Sequence, residues 1–401
     1  MRIGEGRGPT PRGERILAEL PSGSRLSAWV DLTDHGPWSR LSARMRKGPP
    51  DAGAAFLAGG LVQALGSSPS MQFRGELGQE RIRIVMAVPG MRKRLSAAAE
   101  EALALADRGV SLLPALPGTL ARFRLSRSLE AFIRHRNELA SGRAQRQIAQ
   151  FLQGLDFLFK GHRVERDLLP ELRAGMRGIV TLGSREEQRA LPFRLPAGTL
   201  EFDYAGRKLS GSLQAATQLA VLAGNNGRRR RGQLPSLVRT RNQDGYKFSM
   251  ARVSKPKGGR PWPVGAGLMP TTVSGKGRFF YGSSPELIRA VIRAMDEEQE
   301  SESEAGVLDR VEIRLQTAAR AIKQNAGILA TRLPLNDGVR LERGERVLNG
   351  IAAILERAGR LEFVNRFVGA DFESSLSWEP EAGFFDGPEG TVRRGAGKEG
   401  K

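Results

Sequence analysis

Reaction chemistry needs a nucleophile with its base, a paired acid and base, a metal ligand set or a cradle for phosphate, and this chain holds fragments of each. Ser254-Lys255-Pro256-Lys257 has the Ser-x-x-Lys spacing that lets an amine activate a hydroxyl. That motif works from a buried helix start, whereas Pro256 and Gly258-Gly259 predict a loop. Ser274-Gly275-Lys276-Gly277 has the lysine of a phosphate loop, without the upstream glycine spacing or the Ser/Thr that should follow the lysine. His35, His135 and His162 lack ligand spacing, and His135 stands between Arg134 and Arg136, whose charge opposes a metal. The neighbouring carboxylates Glu100/Glu101 and Glu297/Glu298 point in different directions and form no acid–base pair. With no cysteine, thiol nucleophiles, thiolate metal sites and disulfides are excluded. The sequence therefore assigns no catalytic residue, no metal ligand and no cofactor, and the expectation is a protein that is not an enzyme.

Binding chemistry is better supplied. Lys and Arg total 63 against 43 acids, a net +20, in a chain of 401 residues. Between Gly206 and Phe279 stand 15 Lys/Arg and a single acid, Asp244. Such a block draws polyanions: nucleic acid, anionic lipid or acidic polysaccharide. The candidate contacts are Arg228, Arg229, Arg230, Arg231, Arg239, Arg241, Lys255, Lys257 and Arg260. The same charge also fits a solvated surface, and the excess of Arg over Lys also fits GC-rich coding. Tyr246, Phe248, Trp262, Phe279 and Phe280 interleave with these cations as stacking residues would. Alternation, however, sets Tyr246 and Phe248 on one strand face, the core face.

The elements that must position these residues read as mixed helix and strand. Three Leu-Pro turns, at Pro21, Pro117 and Pro196, each lead into an alternating strand. After the first two come a short helix (Pro37–Met45, Leu129–Leu139) and an apolar helix (Ala54–Leu65, Ile148–Phe159). Strands follow over Met71–Leu77 and Arg81–Val88 in the first copy and Gly178–Leu182 in the second, which reads as a duplicated lobe. The basic block reads as hairpins: Asn225-Asn226-Gly227 as a turn that leaves Arg228–Arg231 exposed at a hairpin end, then strands Leu234–Thr240 and Tyr246–Val253 joined at Asp244-Gly245. Ser284 and Pro285 start a helix whose apolar stripe is Leu287, Ile288, Val291, Ile292 and Met295. Helices Leu315–Arg332 and Gly344–Ala358 precede a hairpin, Leu361–Phe367 with Phe372–Trp378. The expected fold class is α+β: an antiparallel sheet with paired helices packed on one side, with a duplicated lobe.

The domain boundaries read as follows: a flexible start over 1–15, a first α+β lobe over 16–110, and a second over 111–295 with the basic hairpins. An acidic linker over 296–305, either solvated or folded back over the hairpins, precedes a helix pair and hairpin over 306–380 and a disordered tail over 381–401. The longest apolar run, Ala54–Val62, is too short for the ~20 residues of a membrane span. The first fifteen residues have no apolar stretch behind their charges. The protein is thus expected in the cytoplasm if Met1 is the true start, and exported if a signal lies upstream.

Certain short motifs resemble a family of bacterial envelope proteins known as a domain of unknown function. They are Leu116-Pro117-Gly118-Thr119-Leu120, Phe151-Leu152-Gln153-Gly154-Leu155, Asp167-Leu168-Leu169-Pro170 and Gly282-Ser283-Ser284-Pro285-Glu286, with the helix pair and hairpin of Ala305–Trp378. The resemblance spans roughly 110–380. It implies a non-enzymatic envelope or surface-associated structural protein, exported or anchored, with no assigned activity. Its alternative is a polyanion-binding module built on 206–279, whose partner is an anionic polymer or an anionic membrane surface. The chain departs from the family in lacking a visible signal and in its Arg228–Arg231 run.

Overall fold

Alternation decides which side chains share a surface. In Arg310-Val311-Glu312-Ile313-Arg314, charged residues fall on one face of a strand and apolar residues on the other. The structure, a computed structural model, describes residues 26–31, 37–78, 81–103, 111–159, 161–183, 196–230, 234–253, 269–297, 306–332, 341–382 and 384. Its elements run β1 (Leu26–Asp31), α1 (Pro37–Arg46), α2 (Ala52–Gly66), β2 (Ser70–Leu77), β3 (Ile82–Val88) and α3 (Ala97–Leu103). Next come β4 (Thr119–Leu125), α4 (Leu129–Arg134), α5 (Arg136–Leu139), α6 (Gly142–Leu158), β5 (Met176–Leu182), β6 (Pro196–Asp203) and α7 (Arg207–Arg230). A meander follows, β7 (Ser236–Gln243), β8 (Tyr246–Val253), β9 (Thr271–Gly275) and β10 (Arg278–Gly282), and then α8 (Pro285–Glu297). The chain closes with β11 (Val307–Arg314), α9 (Leu315–Arg332), α10 (Leu341–Arg357), β12 (Arg360–Val368) and β13 (Asp371–Glu379).

The described strands join in one thirteen-stranded sheet, ordered β1-β2-β3-β13-β12-β11-β4-β5-β6-β10-β9-β8-β7, with every pairing antiparallel. The α+β architecture is as the sequence predicts. One strand order recurs three times: an opening strand, a helical excursion, a strand pairing back beside the opener, and its hairpin partner. The copies are β1–β3, β4–β6 and β11–β13. Sequence reading finds the first two. The third opens at Val307 behind Gly306 with no Leu-Pro turn, while the turn at Pro196 begins β6, the last strand of the second copy. The third copy stands between the other two: β13 pairs with β3, and β11 with β4.

Local chemistry fixes the helix starts. The side chains of Asp51, Ser128 and Ser141 accept hydrogen bonds from the free N–H groups at the starts of α2, α4 and α6. Ser284 does the same for Leu287 at α8, as expected. On one face of the sheet, Leu61 and Ala64 of α2 pack against Met71, Val88, Phe367 and Phe372. A further core joins the helices themselves through Phe132, Leu139, Ile148, Leu152 and Leu168. α8 lies on the opposite face, where Ile288 and Val291 meet Ile179, Val273, Phe280 and Phe248. Ile288 and Phe280 are fully buried, each contributing about 1.5–3 kcal/mol. Tyr246 and Phe248 belong to that core and not to a stacking platform.

Candidate functional site: a basic margin and a charged sheet face

The basic block forms one edge of the sheet. β7 is the outermost strand, and its hairpin with β8 turns at Asp244-Gly245, as the sequence predicts. The reading of Asn225-Asn226-Gly227 as a turn is corrected: all three lie inside α7, and Arg228, Arg229 and Arg230 form its last turn. Three guanidinium groups there complement the free carbonyls and the negative end of the helix. The helix persists through Asn225 because that side chain is engaged elsewhere. Its Nδ2 donates to the Ser236 carbonyl at 2.8 Å, and its Oδ1 accepts from the Ser236 N–H at 2.7 Å. The amide thus replaces a neighbouring strand at the start of β7 and ties the end of α7 to the sheet margin.

Five of the nine expected contacts lie on the two elements this tie joins. Arg229, Arg230, Arg239 and Arg241 are exposed and Arg228 is half-buried. Arg239 and Arg241 stand on the β7 face that continues into Phe248 of the α8 core. Arg231, Lys255, Lys257 and Arg260 lie outside the described residues, as do Trp262, His35 and linker residues 298–305. Lys247 projects from the opposite face of the same hairpin, paired with Asn242.

Two of the rejected motifs have structural roles among the described residues; Ser254–Lys257 lies outside them. Lys276-Gly277 is the two-residue turn between β9 and β10, with φ +50° and +74°, and the Lys276 ammonium lies 5.1 Å from the centre of the Tyr246 ring. His135 Nε2 sits 2.7 Å from Glu101, which also accepts from Arg134 at 2.5 Å. The His135 hydrogen bond holds the Glu101 carboxyl below its ordinary range. Among the described residues, no group of three His, Asp or Glu side chains is placed to hold a metal ion.

A feature the sequence reading missed is a lattice of ion pairs over one sheet face. Glu312 accepts from Arg122 at 2.6 Å and from Arg314 at 3.2 Å, with Arg360 at 3.6 Å. Arg310 meets Glu362 at 2.6 Å, Arg366 meets Glu373 at 2.7 Å, and Arg177 holds Glu201 through two bonds of 2.7 and 2.6 Å. Glu201, Glu312 and Glu362 are buried, the first two only 2% exposed, and Glu373 is half-buried. Burial pulls Arg177 toward losing its proton, but the Glu201 carboxylate overrides this and raises its affinity for it. The sequence signal was present in the alternation Arg310-x-Glu312-x-Arg314 and Arg122-x-Arg124. These neighbours become visible only when the strand order is known.

The other face carries an apolar row. Ile84, Leu376, Phe363, Val311 and Phe123 pair across β3, β13, β12, β11 and β4, and the first three are exposed. Among the described residues, no helix is long and apolar enough to cross a membrane. Comparison of the chain with protein-family models, with curated proteins and with solved structures returns no match.

Proposed function

We propose that this protein acts by binding and not by catalysis, as a structural protein that takes an anionic polymer along its basic margin. The carrying observation is the double hydrogen bond of Asn225 to Ser236, which ties the arginine-bearing end of α7 to β7, the edge strand whose other face bears Arg239 and Arg241. Cations held on ordered elements at a sheet edge bind a polyanion at a smaller ordering cost than the same charges on a loose loop. The lattice on the sheet face supports the same reading, because its carboxylates are occupied by arginines and serve the sheet. A second reading, an envelope or surface-associated location, draws on the family resemblance over residues 110–380.

Elution from immobilised heparin tests the proposal. A variant with Arg228, Arg229, Arg239 and Arg241 changed to Gln should elute at clearly lower salt while keeping the wild-type circular dichroism spectrum. Elution at the wild-type position would refute the margin as the site.

A further inference from the structure

The helix pair α9–α10 carries an apolar stripe on its outside. Val347, Ile351 and Ile354 recur at the i, i+4, i+7 spacing of one helix face and are 52%, 43% and 63% exposed. A stripe of this kind ordinarily docks a helix to its own core. Here the three apolar clusters found among the described residues contain no residue of either helix. The apolar side chains that the pair does bury are small: Ala319, Ala326, Ala330 and Ala352. A Lys323–Glu356 ion pair of 2.7 Å adds to them.

The charges of α10 are sorted about the stripe. At 3.6 residues per turn, Arg343, Arg346 and Arg357 fall within roughly 110° of the stripe centre, all on one side. Glu345 and Glu356 fall roughly 150° or more away. Contacts agree: Glu356 is taken by Lys323, and Glu345 Oε1 lies 3.2 Å from where a Cβ on Gly327 of α9 would stand. α9 itself contains no acid from Leu315 to Arg332. The rim of the stripe is therefore cationic; of the three acids of α10, Glu345 and Glu356 face its partner helix, and Glu342, in the first turn, also falls roughly 145° from the stripe centre.

We propose that α9–α10 seats the protein on an anionic bilayer surface, with Val347, Ile351 and Ile354 entering the headgroup–acyl boundary and Arg343 and Arg346 meeting lipid phosphates. An apolar face bordered by arginine is the arrangement by which a helix lies in such an interface without crossing it. The 17 residues of α10 run about 25 Å, and the stripe occupies about 10 Å of that length. An apolar protein groove would use the stripe alone; the segregation of charge matches a surface that is anionic along the whole helix. This surface is separate from the basic margin and does not depend on it.

Co-sedimentation of the full chain with vesicles tests the inference, comparing phosphatidylglycerol and phosphatidylcholine in equal parts with phosphatidylcholine alone. The wild type should bind the anionic vesicles, release from them in high salt, and leave the neutral ones unbound. V347S/I351S/I354S should lower the partition coefficient about tenfold or more, and R343Q/R346Q about thirtyfold, both with unchanged thermal melting and heparin elution. If the serine variant melts early, the glutamine variant, altered only at exposed charges, decides the matter. Wild-type binding by the deciding variant, equal binding to neutral vesicles, or no binding by the wild type would overturn the proposal. Loss of vesicle binding in a variant with Arg228–Arg231 changed to Gln, while the serine variant still binds, would move the bilayer contact to the margin. That result also overturns the inference and leaves the polyanion reading standing.

Discussion

Glu312 shows how the charged face works at the level of one side chain. Burial raises the pKa of its carboxyl, but the Arg122 hydrogen bond and the charges of Arg122 and Arg360 outweigh burial and hold it below the ordinary carboxylate range. A depressed folded-state pKa means that the folded chain binds fewer protons than the unfolded one. The stabilisation is complete above the unfolded value near 4.5 and is lost as pH falls through the lower folded value. Urea midpoints should therefore drop below about pH 4.5 in the wild type and drop less steeply in Glu312→Gln. At neutral pH that variant should lose about 2 kcal/mol, less than the ~3–5 of an enclosed pair, because Arg314 and Arg360 still reach water. Identical acid profiles for the two proteins would show that Glu312 contributes nothing. Gly178 makes a steric prediction on the other face. A Cβ there would meet the Phe123 ring at 2.4 Å, so Gly178→Ala should cost about 1–3 kcal/mol, and Phe123→Leu in the same chain should restore part of it.

At the scale of elements, the Asn225 amide links helix α7 to strand β7. Asn225→Ala removes two hydrogen bonds to Ser236 and should cost about 1–2 kcal/mol. Hydrogen exchange should quicken at the Ser236 amide and in the last turn of α7 while the α8 core stays protected; uniform exchange across the sheet would contradict a local tie. This element is also where sequence reasoning reached its limit. Asn-Asn-Gly is a turn signal by local propensity, and a tertiary contact eleven residues away overrides it. Where pattern and tertiary packing agree, the reading lies close to the structure. The stripe Leu287–Met295, the helix Leu315–Arg332 and the Asp244-Gly245 turn all belong to that group. The third strand–helix–strand copy was hidden because Gly306, and not a Leu-Pro turn, opens it. The ion-pair lattice was hidden because Arg122 and Glu312 are 190 residues apart in the chain.

Across the whole molecule, the sheet binds the ends of the chain to its beginning. β13 pairs residue for residue with β3, from Phe372 opposite Val88 to Trp378 opposite Ile82, and β11 pairs with β4. A chain ending at residue 305 would leave β3 and β4 as bare edges with open ladder groups, and it should aggregate and not yield a folded N-terminal half. The same topology predicts that the full chain unfolds in a single transition, coincident by far-UV and near-UV circular dichroism, and refolds slowly because these pairings are distant in sequence. Separate melting of two halves would contradict the continuous sheet. The basic margin lies at the end of this sheet, as far from β1 as the strand order allows.

The central claim, that the margin formed by α7 and β7 is a polyanion site, is met most directly by the salt dependence of binding to a short DNA duplex. If Arg228, Arg229, Arg230 and Arg231 each neutralise a phosphate, changing all four to Gln should make the slope of log affinity against log salt shallower by roughly 3–4 units. Affinity at low salt should fall with it, and the circular dichroism spectrum should stay that of the wild type. A variant that keeps both the wild-type slope and the wild-type affinity would contradict the account.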